Sequence, residues 1–164
     1  MAYIPIASQT LGAAASSVTF NSIPTTLNGQ TLRDLVLVCS VRSASGEGPF
    51  RMTFNGVTSA SYFNVSMNGN GSSAFSANNN NASIQDDYTD VPTTGTATYV
   101  YNIMDYAQTD KHKSVLVRGN RANANVSAIA ARFANTSAIT SINLLVFGSN
   151  MAAGSTFSLY GVAA

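Results

Sequence analysis

Leu35-Val36-Leu37-Val38-Cys39-Ser40-Val41-Arg42 decides the fold of this chain. Its period is two. Leu35, Leu37, Cys39 and Val41 point one way, and Val36, Val38, Ser40 and Arg42 the other. Similar β-rich stretches recur on both sides: Tyr3–Gln9, Val18–Phe20, Phe50–Phe54, Tyr62–Met67, Ala97–Met104, Ser114–Gly119, Val126–Phe133, Ile139–Phe147 and Thr156–Val162. Turn clusters such as Asn28-Gly29, Ser43–Pro49 and Asn55-Gly56 separate them. Gly148–Gly154 reads as the turn of a final hairpin. No long stretch shows a helical stripe, and Asp105–Lys113 is too polar and short for more than a turn or two. The expected fold is all-β: one β-sandwich domain over residues 1–164, jelly-roll-like, with about eight to ten short strands.

Composition agrees. The chain has 164 residues, one ordinary domain's worth. Hydrophobic residues make up 45%, enough for a core, but charged residues only 9%. Ser, Thr and Asn number 21, 16 and 17, a third of the chain. A net charge of +1 excludes a phosphate-tracking nucleic-acid binder built on a basic stripe. No apolar run approaches the ~18 residues of a membrane helix, so no membrane partner is expected. Met1–Gln9 has neither the charged start nor the apolar core of a signal peptide.

Catalytic constellations fare poorly. His112, the one histidine, sits in Asp110-Lys111-His112-Lys113 with no serine singled out as its nucleophile. Cys39 is the one cysteine, so paired-cysteine metal sites are excluded, and its stripe predicts a buried small hydrophobe. Asp86-Asp87-Tyr88-Thr89-Asp90 holds carboxylates that a hard cation would accept, but matches no EF-hand loop and reads as a solvated turn. With Glu47 as the one glutamate, a glycosidase pair gets no support. The chain is expected to be no enzyme and to bind no cofactor and no metal.

Two segments stand apart. Asn68–Asn81, NGNGSSAFSANNNN, holds six Asn and the aromatic Phe75. It reads as a long exposed loop, either loose or ordered against a neighbour. Leu11–Ser17, LGAAASS, suits close backbone packing, as part of an N-terminal arm over residues 1–17 or as a bend between strands. The lead of such an arm, Tyr3, Ile4 and Ile6, is broken by Pro5, which cannot donate to a ladder. Tyr3, Ile4, Ile6, Leu11 and Phe75 are therefore the expected contacts with a neighbouring subunit or partner.

Some residues match a known group. Ile103-Met104-Asp105-Tyr106-Ala107, Thr109–Lys113, Asn135–Ile142 and the closing Ala153–Gly161 resemble small tailed-bacteriophage virion proteins. Gln9–Gly12, Ala15–Phe20, Ser22–Pro24, Leu35–Leu37 and Arg51–Gly56 are similar too. The resemblance covers most of the chain and leaves out Asn68–Asn81. It implies a structural virion component with no catalytic residues to carry over. The expected role is a capsid decoration (cement) protein on the phage head surface, made in the bacterial host cytoplasm. Its partners would be the major capsid protein and itself, as a homotrimer. The alternative is a head- or tail-fibre tip that binds a host-surface glycan.

Overall fold

The stretch at 35–41 becomes the middle of β4 (Gln30–Val41), and its alternation is the alternation between core and outer face. Leu35, Leu37, Cys39 and Val41 are fully buried, while Val38 is 36% exposed. The computed structural model describes residues 3–122 and 124–164, with the side chains of Asp86 and Asp87 outside that description.

Among the described residues there are thirteen strands. Besides β4 they are β1 (Tyr3–Thr10), β2 (Val18–Phe20), β3 (Thr26–Leu27), β5 (Gly48–Phe54), β6 (Tyr62–Gly69), β7 (Ala74–Asn81) and β8 (Ile84–Val91). The rest are β9 (Ala97–Met104), β10 (Lys113–Arg121), β11 (Asn125–Phe133), β12 (Ile142–Val146) and β13 (Thr156–Ala163). A nine-stranded sheet runs β1-β13-β4-β9-β10-β11-β6-β7, with β3 paired to β4. A four-stranded sheet runs β2-β12-β5-β8. Every pairing is antiparallel.

Setting aside β3 and the hairpins β6–β7 and β10–β11 leaves two four-stranded sheets, β1-β13-β4-β9 and β2-β12-β5-β8. First pairs with last, second with second-to-last, and so inward: a jelly roll, as a folded-over antiparallel ribbon gives. The two hairpins extend the large sheet beyond β9. The core between the sheets includes Phe50, Met52, Phe54, Tyr62, Tyr99, Tyr101, Phe133 and Phe157. Phe54, Tyr62 and Phe133 pack ring on ring, with the Tyr62 and Phe133 centroids 4.9 Å apart.

Four expectations need correction. The arm over residues 1–17 is no arm: residues 3–10 form β1, paired along β13 at the sheet edge, and Met1 and Ala2 lie outside the described residues. Its apolar lead is drawn in because β13 offers a ladder on that side. Leu11–Ser17 is the bend, and Ala15 exchanges backbone hydrogen bonds with Met151 at 3.0 and 2.8 Å. The loop expected at Asn68–Asn81 is the end of β6, a turn and β7. The Asn70 Oδ1 accepts from the Ser72 and Ser73 amides, Gly71 supplies a positive φ, and the chain folds back on β6. Asp86–Asp90 is no turn either but lies within β8, beside β5. Gly148–Gly154 joins no hairpin, because β12 and β13 belong to different sheets. The strands added to the expected ten are β3, β7 and β8.

Candidate contact surface

Side chains alternate along each strand, so the large sheet has an inner face on the core and an outer face that no layer of the described residues covers. Register decides what lies side by side there. One row runs across the whole sheet: Pro5, Tyr160, Val36, Asn102, Leu116, Ala130, Val65, Asn78. The next row runs Ser8, Ser158, Val38, Val100, Arg118, Ala128, Met67, Ser76. At strand spacing, eight strands make a surface about 34 Å across.

This face gathers most of the exposed large apolar side chains. Val65, Met67, Leu116 and Val126 are 53%, 64%, 50% and 62% exposed. Phe63, Met104 and Val38 add to them. A patch of aligned apolar residues on a flat sheet is the kind of surface that marks an interaction site. The charge within it is positive. The Arg132 guanidinium lies 4.3 Å from the Phe63 ring centroid, and Arg118 stands between Val100 and Ala128. Asp34 lies at the face's far end, where Arg33 and the Asp105 amide already hold its carboxylate.

A shallow hollow sits at the β1 side of the face. Tyr3, Tyr160, Val36, Val38, Val100, Asn102 and Arg118 line it. The two tyrosine rings meet edge to face, centroids 6.5 Å apart. An aromatic wall, an amide and a guanidinium over a valine floor could hold an apolar side chain with a carboxylate, or a sugar ring.

A second feature lies inside. Where the β6–β7 and β10–β11 hairpins overhang β8, the inner face turns polar: Asn64, Asn68, Ser127 and Thr89 are buried. The Asn125 amide donates to the Thr89 Oγ1, and the Tyr99 hydroxyl donates to the Thr89 carbonyl. The Asn68 Nδ2, Asn125 Oδ1 and Ser127 Oγ are buried without a partner among the described residues. Such a polar cage suits ordered water. Among the described residues no group of three or more His, Cys, Asp or Glu could hold a metal ion.

The residues expected as contacts are dispersed. Tyr3 is 63% exposed and walls the hollow. Ile4 and Leu11 are core residues at 8% and 6%, so neither reaches a partner, and Ile6 packs partly against the core. Phe75 is half-buried against Tyr88, centroids 4.8 Å apart. The sequence reading does not single out the rows of the outer face, although Val38, Val65 and Met67 stand at solvent-facing positions of readable strands. Their signal was an apolar residue where a polar one is ordinary. His112 is exposed in a loop, and Cys39 is fully buried, its thiol pushed well up by burial.

No protein-family model and no curated protein matches the chain. Among solved structures it is similar to an exo-inulinase from Aspergillus awamori, at 15% identity and a TM-score of 0.52. The match covers 98% of this chain and 29% of that one. At that identity the likeness concerns the fold, a β-sandwich, and the activity belongs to the enzyme.

Proposed function

We propose that the chain is a non-enzymatic structural component of a tailed-phage virion, a decoration protein that docks on the major capsid protein at the head surface. The observation that carries this reading is the outer face of the large sheet, with its aligned apolar rows on an otherwise weakly charged chain. The sequence resemblance supplies the virion context. A broad contact made by valine, leucine, methionine and small polar groups desolvates few charges. Association then draws on apolar burial over a flat area, which a repeating capsid lattice can offer many times.

The test is imaging of particles made with and without the gene. Added density on the head, lost in the deletion and restored by the added protein, is the expected result. Density at a fibre tip, or none, would sink the decoration role.

The hollow at Tyr3 and Tyr160 favours one second reading, a fibre-tip module that binds a host-surface glycan. In that case Tyr160→Ala would abolish binding to host cells while the protein still assembled on the particle.

A further inference from the structure

The large sheet ends in two edges of different character. At one, β1 carries Pro5, and its register slips between Pro5 and Ala7. Proline and a bulge are ordinary ways of blunting an edge against strand addition. At the other, among the described residues, β7 has β6 as its one strand neighbour and pairs with it from Tyr62–Asn81 to Gly69–Ala74 with no register shift. Its sequence, Ala74-Phe75-Ser76-Ala77-Asn78-Asn79-Asn80-Asn81, has no charge, proline or glycine. Nothing in it guards the edge.

We propose that β7 pairs antiparallel with β7 of a second copy, about a two-fold axis at Asn78, so that two large sheets become one. Geometry requires the axis to pass through a residue position, and side-chain complementarity selects Asn78. A two-fold axis normal to the sheet keeps each face on its own side, so opposed residues must point the same way. Centred on Asn78, the pairing sets Asn78 opposite Asn78 and Ser76 opposite Asn80 on the outer face. On the inner face it sets Ala77 opposite Asn79 and Phe75 opposite Asn81. A side-chain amide carries both donors and an acceptor, so two asparagines related by symmetry can bond each other. Two lysines or two aspartates in that place would repel. Asparagine ladders between like strands use the same complementarity.

The large sheet closes on itself in this way, because pairing one β7 with another leaves the two blunted β1 strands as the ends of the joined sheet. It also bears on the expected homotrimer. A ring of three built through sheet edges needs β7 of one copy on β1 of the next, and Pro5 and the bulge oppose that contact. The dimer would lengthen the outer face as well. Val65 and Met67 stand beside Asn78 and Ser76, so the apolar rows of both copies would approach the axis from either side.

Sedimentation equilibrium of the full chain tests this. The native protein is expected to approach twice 17.1 kDa as its concentration rises. Asn78 is exposed, so Asn78→Lys and Asn78→Asp should fold normally and each weaken the dimer at least tenfold. An equimolar mixture of the two should restore it, with Lys facing Asp across the axis. A second readout fixes the register. Asn78→Cys should oxidise to a covalent dimer, whereas Leu116→Cys on the same face should not, and buried Cys39 takes no part. A native chain that stays monomeric at its solubility limit overturns the proposal. So does a trimer, a dimer indifferent to both charged variants, or an Asn78→Cys protein that fails to cross-link.

Discussion

Burial holds the phenols of Tyr62 and Tyr106 protonated beyond the ordinary tyrosine range, up to about 12. The Tyr62 hydroxyl accepts from the Phe54 amide at 2.9 Å and donates to the Val57 carbonyl at 3.0 Å. The first of these bonds favours the phenolate and offsets part of the burial effect. The Tyr106 hydroxyl donates to the Pro24 carbonyl. Unfolded tyrosine loses its proton near pH 10. A raised folded value means that stability is fully present below about pH 10 and is lost as pH rises toward 12. Urea denaturation at stepped pH should show stability falling first above about pH 8.5, where the unfolded Cys39 thiol ionises, and then by up to roughly 2–3 kcal/mol per tyrosine toward the upper end. Tyr106→Phe should flatten its share of that fall. A curve level to pH 12 would mean that the hydroxyls are open to water. Cys39 makes the matching case for a thiol. In the Leu35–Val41 stripe it is fully buried, so a thiol reagent should label it only as the protein unfolds. Cys39→Ala should cost about 1–2 kcal/mol, the size of a small cavity, as read by the shift in denaturation midpoint.

Elements differ in how openly the sequence announced them. Strands with one buried face were plain: β9 alternates cleanly, β10 does so along most of its length, and both and β13 were expected close to their observed places, while β4 was expected from Leu35 and begins five residues earlier, at Gln30. β7 was hidden, because Asn-rich segments are depleted in strands and its pattern buries little. What makes it a strand is β6 alongside it, a tertiary fact. β8 was hidden by Asp86, Asp87 and Asp90, which read as a turn until β5 supplies its partner. The tail of residues 1–17 misled in the other direction. Pro5 does mark an edge strand, but the edge belongs to the chain's own sheet. β1 covers β13 and seats Ile4, and Leu11 follows in the core. Deleting residues 1–10 should therefore destabilise the domain by more than about 3 kcal/mol, since it uncovers apolar area and a central strand. Denaturation of the truncated chain checks this. A truncated domain as stable as the full one would return β1 to the status of an arm.

At the scale of the molecule, the outer face is what a single sequence could not display. Alternation tells which residues share a face of one strand, but register tells which strands bring them level. Val36, Leu116 and Val65 are far apart in sequence and lie in one row only because of the pairings β4–β9, β9–β10, β10–β11 and β11–β6. The proposed contact and the fold's stability can be separated there. Leu116 and Val65 are about half exposed, so Leu116→Glu and Val65→Glu together should change stability by no more than about 1 kcal/mol. Each would place a carboxylate where the proposed docking needs apolar contact, and an unpaired charge buried in an interface costs several kcal/mol. The double variant should thus melt like the native protein yet lose its place on the particle. Val117→Glu, one residue along β10 and fully buried, is the opposite control and should unfold the domain. Thermal melts and particle occupancy measured together decide the matter. If the double variant decorates heads as fully as the native chain, the outer face is not the docking surface. If it melts far below the native chain, the face is part of the fold's own stability, and the partner contacts must be sought elsewhere.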